Sequence, residues 1–136
     1  MSIEIVEHQS KRYAEIIWAG ARVEHTKFFS PSKSSMQFGL LAHQAGFIEA
    51  PHLHHHVDRV INDLQQMFVV QRGIVAVDFY SDDGILFREV ILKQGDAILL
   101  VDGIHAIRVL EDMQCISVKQ GPFFGDQLDK INVDTK

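Results

Sequence analysis

The stretch QMFVVQRGIVAVDFYSDDGILFREVILKQGDAILLVDGIHAIRVLEDMQCISVK, residues 66–119, decides the fold of this chain. Short runs of apolar and β-branched residues alternate there with turn-forming Gly and Asp pairs. The runs predict strands over 66–72, 74–80, 85–92, 97–101, 104–110 and 113–119. Evenly spaced short strands are typical of an antiparallel sandwich or barrel, so the sequence predicts an all-β fold.

Upstream of this stretch the pattern is weaker. Residues 2–18 predict one or two strands, and further strands are predicted over 23–29 and 36–44, on either side of the loop SPSKSS. A chain of 136 residues is long enough for one domain with a buried core. We therefore expect a single domain over 1–136, with N-terminal strands in 2–29, a barrel core over about 36–120 and a C-terminal tail over 121–136.

Residues 57–68 allow two interpretations. Their apolar residues recur at helical spacing, which predicts an amphipathic helix and would bring His52 and His56 onto one helix face. Alternatively, Asn62-Asp63 is a good turn pair, so the residues on its two sides can form a β-hairpin.

Composition excludes several classes of function. The net charge is −5 and the basic residues are scattered, whereas nucleic-acid binding needs a concentrated cationic surface. No apolar run is long enough to span a membrane, and the first residues do not resemble a secretory signal. Cys115 is the only cysteine, so no intrachain disulfide can form. We expect a cytoplasmic protein.

A dense histidine cluster lies in GFIEAPHLHHH, residues 46–56. On a strand, His52, His54 and His56 would share one face and His55 would point to the other. Same-face neighbours about 7 Å apart can offer two imidazoles to one ion, and imidazole suits Zn, Fe, Ni and, less strongly, Mn. His105 directly follows a buried run and needs a partner or a metal if it is buried. The sequence therefore predicts a divalent metal site.

These residues resemble the two motifs of the cupin superfamily. Gly46, His52 and His54 match the opening of the first motif, and Gly95, Gly103 and His105 follow the second closely. The resemblance covers about 36–120. It implies an antiparallel jelly-roll barrel, also called a double-stranded β-helix, that holds a metal inside with three histidines and a carboxylate.

The chain departs from the family pattern at the carboxylate. Counting back from Gly73 places Gln66 at the position of the family's glutamate, whereas counting forward from His54 places Asp58 near it. In the second motif, Val101 replaces a proline, Val109 replaces an asparagine and one residue is missing before His105. The predicted metal ligands are His52, His54, His105 and Gln66, with Asp58 and His56 as alternatives for the fourth position. Gln66 can equally be an inward polar residue that bonds a neighbouring strand.

The favoured function is a metal-dependent enzyme, such as a dioxygenase or hydrolase, that acts on a small organic acid inside the barrel. The alternatives are a non-catalytic module that binds a metal or small ligand, and a metal-independent sugar-nucleotide epimerase or isomerase with a histidine base. Tyr80, Arg108 and Lys119 can meet an anionic substrate if they face the interior, although counting alternate residues from His105 places Arg108 outside. The resemblance also implies a homodimer.

Overall fold

The computed structural model describes residues 2–136 and is all-β, as the sequence predicts. Six antiparallel strands form one sheet in the order β1-β2-β7-β5-β6, and β8 pairs with β5; β3 and β4 form a separate small sheet. The elements are β1 Ile3–His8, β2 Lys11–Ile17, β3 Lys27–Phe28, β4 Gly39–Leu40, β5 Gln66–Tyr80, β6 Leu86–Leu92, β7 Ala97–Leu100, β8 Ile104–Lys119 and the single helical turn α1 Asp126–Asp129.

The large sheet is strongly curled into a half-barrel. β7 ends at Leu100 opposite Gln66, and β8 begins at Ile104 opposite Tyr80. Four residue steps span at most about 14 Å, yet this short connection links the two ends of β5, which would lie about 46 Å apart in a straight strand. The sheet must therefore bend. We call the end of the sheet at which Gln66 and Leu100 lie, where this connection starts, the rim.

Bulges in the middle of β5 allow the bend. The β5–β8 register shifts at three places between Val70 and Val75. Gly73 has φ +87°, and a Cβ there would lie 2.2 Å from the carbonyl oxygen of Asp112. Only glycine fits such a close approach of two backbones at a positive φ.

Two hydrophobic cores cover the two faces of the sheet. The inner core lies on the concave face and is built around Tyr13, Phe68, Phe79 and Leu100. The outer core contains Ile17, Phe38 and Leu99, and residues of β3, β4 and their connection cover it. Since directly opposed residues in antiparallel strands share a face, the register assigns every strand residue near the rim to one of these sides.

The structure corrects several predicted boundaries. Residues 66–72 and 74–80 form one strand through Gly73, and residues 104–110 and 113–119 form one strand through Glu111-Asp112. These turn-forming residues do not end a strand because the long β5–β8 ladder continues past them and bulges absorb the irregularity. The predicted strands over 23–29 and 36–44 shrink to two residues each.

Residues 41–65, which we call the connecting segment, contain no strand and no helix. The helix predicted over 57–68 is therefore wrong, and so is the hairpin across Asn62-Asp63, because residues 57–65 pair with no strand. None of the helices within residues 2–136 has both the length and the apolar character needed to cross a membrane.

Candidate functional site

The histidine cluster lies on the connecting segment, not on a strand as predicted. The ring centroids of His52 and His54 are 5.4 Å apart, and the side chains of His52, His54, His55 and His56 are all exposed. Nδ1 of His52 lies 2.8 Å from the carbonyl oxygen of Ala50. Because a carbonyl only accepts hydrogen bonds, this contact favours a proton on Nδ1 of a neutral His52. Nε2 lies 3.4 Å from Oε1 of Glu49, so it would have to leave that carboxylate to bind a metal.

His105 lies near the start of β8 and faces the concave side. It stands opposite Phe79, a residue of the inner core. Its Nδ1 is 3.4 Å from the carbonyl oxygen of Gly103, an orientation that directs Nε2 away from the backbone. Desolvation lowers the pKa of His105, the Gly103 carbonyl opposes this effect, and the positive charge of Lys130 adds to it. The side chain of His105 is nonetheless exposed at the surface, and an imidazole must be neutral to bind a metal.

Gln66 begins β5 and also faces the concave side, since it lies opposite Leu100 of the inner core. Its side-chain amide nitrogen donates to Oγ of Ser117 on β8 at 2.8 Å. The sequence allowed Gln66 to be a structural residue that bonds a neighbouring strand, and this hydrogen bond is present. It also leaves the amide oxygen as the atom that can bind a cation.

Gln66 and His105 lie on the same face of the sheet but at opposite ends of the β5–β8 ladder. Leu100 stands opposite Gln66 at about 5 Å, and five residue steps of at most about 18 Å connect Leu100 to His105. The two predicted ligands are thus at most about 23 Å apart, on one face of the sheet.

The structure does not assemble all the predicted ligands. His52 and His54 lie together on the connecting segment, whereas Gln66 and His105 lie on the large sheet, at opposite ends of the β5–β8 ladder. Within residues 2–136, no three His, Cys, Asp or Glu side chains are grouped closely enough to hold an ion. Asp58 and His56, the alternative fourth ligands, are exposed on the connecting segment.

Arg108 lies on the convex side, as counting alternate residues predicts. It pairs with Ala76 on β5. The buried Asp78, two positions further along β5, lies on the same face. Its Nε and Nη2 donate to the two carboxylate oxygens of Asp78 at 2.6 and 3.1 Å, and Nη2 also contacts Glu89. These carboxylates hold the pKa of Arg108 above its ordinary value. Arg108 is therefore a structural cation and not a substrate ligand.

Lys119 is the candidate anion ligand that does reach the rim. It stands opposite Gln66, so it shares the concave face, and its Nζ lies 4.7 Å from the ring centroid of Phe123. Among the described residues, no carboxylate lies within salt-bridge distance of Lys119.

The sequence analysis did not identify two residues near this site, Ser117 and Lys130. Ser117 precedes Lys119 by two positions and shares its face, so strand alternation was a usable signal. Lys130 had none, because its approach to His105 depends on the path of the tail after β8. That tail ends beside the β5–β6 turn, where the backbone nitrogen of Lys136 donates to the carbonyl oxygen of Gly84 at 2.8 Å.

A polar groove of about 840 Å³ lies elsewhere, between the loop after β3 and the end of the connecting segment. Lys33 and Arg59 line it, together with several Ser, Asn and Asp side chains, but none of the predicted metal ligands does.

Comparisons with protein-family models, with curated proteins and with solved structures found no match for this chain. The likeness to cupins thus rests on the residues of its two histidine motifs.

Proposed function

We propose that this protein is a metal-binding cupin with a jelly-roll barrel. In this proposal, His52, His54 and His105 bind one divalent ion, Zn, Fe, Ni or Mn, with Gln66 as the fourth ligand. The observation that carries the proposal is that Gln66 and His105, far apart in sequence, lie on the same face of the large sheet, the face of the inner core. The adjacent rings of His52 and His54 supply the remaining pair of imidazoles.

The donor set fits a borderline transition metal. Three imidazoles and one amide oxygen match Zn, Fe or Ni better than Mg or Ca, which prefer several carboxylates. All four ligands are neutral, so the bound ion would keep its full charge, polarise a substrate oxygen and lower the pKa of a bound water. Desolvation and the charge of Lys130 both lower the pKa of His105, which favours the neutral imidazole that a metal needs.

We further propose that the protein is an enzyme, dioxygenase-like or hydrolase-like, acting on a small organic acid. Lys119 supports this substrate class, because it offers a cation beside Gln66 that no described carboxylate neutralises. The Phe123 ring next to its Nζ can pack against the apolar part of the substrate. Lys119 would bind and orient the substrate carboxylate, a charge-assisted contact that stays in place during the reaction.

The test is metal analysis of protein purified without an affinity tag. After dialysis against Zn²⁺, the wild type should retain about one equivalent, and His52→Ala and His105→Ala should each lose most of it. His25→Ala is the matched control, because His25 is also exposed but lies outside both motifs. Less than a tenth of an equivalent in the wild type would refute the metal site.

The expected homodimer belongs to the same proposal. The outer edge of β8 pairs with no strand within residues 2–136, and Leu110, Ile116 and Val118 on this strand are about half exposed. A second copy can cover such an edge, since long apolar edges promote association. Light scattering that gives the mass of one chain would refute the dimer.

A further inference from the structure

We infer that metal binding closes the connecting segment, residues 41–65, over the concave face of its own half-barrel. This inference rests on the proposed metal site and adds how that site assembles. Closure would carry His52 and His54 to His105 and Gln66. The metal would then link the segment to the sheet, and the open and metal-bound forms would differ in the exposure of the segment.

The surface area of the chain is large for its mass. It exposes 10003 Å². A compact monomer of 15.4 kDa exposes about 7,200 Å² by the usual scaling with mass. An excess of about 2,800 Å² means that a large part of the chain is not packed against the rest.

Much of this unpacked surface is apolar and lies on the connecting segment and on β8. The connecting segment exposes large apolar side chains, including Leu53 at 81% and Val60 at 97%. On β8, Ile107 and Val109 lie opposite core residues and yet remain 42% and 54% exposed, because nothing covers the concave face there. The two surfaces are both apolar, so packing them together would remove both from water.

The connecting segment is long enough to bring His54 to His105. Twelve residue steps separate His54 from Gln66, and they can extend to about 40 Å, whereas Gln66 and His105 are at most about 23 Å apart. The segment is anchored at both ends, by β4 and by β5. It can therefore reach His105 of its own chain without disturbing a strand. Because the segment is tethered, the effective concentration of His54 near His105 of the same chain is near the millimolar range. Binding to His105 of the same chain is therefore favoured over binding to a second copy at ordinary protein concentrations.

Metal is the natural trigger for this closure. Ordering the segment costs conformational entropy, and among the described residues its hydrogen bonds to the sheet are few. Metal–imidazole bonds supply free energy only when ligands from both parts meet, so metal binding and ordering are coupled.

Limited trypsin digestion tests the inference directly. Arg59 is the only Lys or Arg within residues 41–65, and its side chain is exposed. With one equivalent of Zn²⁺, cleavage after Arg59 should slow at least tenfold relative to the dialysed protein. Cleavage after Arg22 should not change, since Arg22 is exposed in the loop after β2, next to the outer core. This second site controls for any effect of the metal on trypsin.

Variants then locate the contact. His105→Ala should abolish the Zn²⁺-dependent protection, whereas His25→Ala should retain it. Protection that persists in His105→Ala would overturn the inference. An equimolar mixture of His105→Ala with the double variant His52→Ala/His54→Ala distinguishes the two chains. Closure within one chain predicts no protection in this mixture, and recovered protection would show that a second copy supplies the segment.

The outcomes separate the two proposals. If the wild type binds Zn²⁺ but Arg59 is cut at an unchanged rate, the metal site stands and closure is refuted. If the wild type binds no Zn²⁺, the proposed function fails and closure fails with it.

Discussion

Replacing Gly103 by alanine should destabilise the protein and disturb the site together. Gly103 lies in the turn between β7 and β8, with φ +83°. A Cβ at this position would lie 2.3 Å from the ring of Tyr13, which is 1% exposed and enclosed by the inner core. The Tyr13 ring cannot move aside cheaply, because Phe79 and Phe87 pack against its edges.

The expected cost has two parts. A non-glycine residue at a positive φ costs about 1–2 kcal/mol. Forcing an extra methyl group into a packed core costs about 1–3 kcal/mol more. Gly103→Ala should therefore lower the free energy of unfolding by about 2–5 kcal/mol in total.

Gly46→Ala is the matched control. Gly46 has φ +93°, but no atom lies within 4 Å of the position its Cβ would take. It should show the backbone cost alone, about 1–2 kcal/mol or less. Urea denaturation with a common m-value measures both variants. Equal free energies of unfolding for the two variants would show that the Tyr13 ring does not press on Gly103.

The same substitution should weaken metal binding. The carbonyl oxygen of Gly103 contacts Nδ1 of His105, so a shifted turn moves the imidazole. We expect Gly103→Ala to bind Zn²⁺ at least tenfold more weakly at a temperature where the variant is still folded. Unchanged affinity would mean that the turn does not position His105.

Three further predictions concern other parts of the molecule. Glu15→Ala should lower the free energy of unfolding, measured by urea denaturation, by about 2–4 kcal/mol. The buried Glu15 carboxylate accepts a 2.6 Å hydrogen bond from the Ser30 hydroxyl, and this hydroxyl accepts one from the backbone nitrogen of Phe38. A loss below about 1 kcal/mol would refute this structural role. Burial raises the pKa of the Cys115 thiol, so alkylation by iodoacetamide at pH 8 should be slower in the folded protein than in urea, and equal rates would contradict the burial. Bound Zn²⁺ should leave between about pH 6 and pH 4.5, since imidazole binds a metal only when neutral; retention at pH 4.5, measured by metal analysis after dialysis, would exclude imidazole ligands.

The strands of the second half were well predicted from the sequence. Alternation and turn residues place β6 and β7 within one or two residues of their observed bounds. These signals are local, because a turn needs particular residues at the turn itself and a half-buried strand needs alternation within its own length.

The same local signals failed where tertiary pairing overrode them. Gly73 and Glu111-Asp112 look like strand ends, but each lies inside a long strand that its partner holds in register. Residues 52–56 allow a strand by alternation, but no strand pairs with them in the structure, so they remain outside any strand and exposed. A segment forms a strand only when a second strand pairs with it, and the segment's own sequence does not specify that second strand.

By itself, the sequence determined that the protein is all-β and which residue types are available for a metal. Only the tertiary structure decided which of these residues meet. The β5–β8 register places Gln66 and His105 on one face of the sheet, Lys119 beside Gln66, and Arg108 on the opposite face. The path of the tail determines that the charge of Lys130 acts on His105. Each of these arrangements joins residues distant in the chain, so it depends on the register and bend of the whole sheet, which local patterns do not specify.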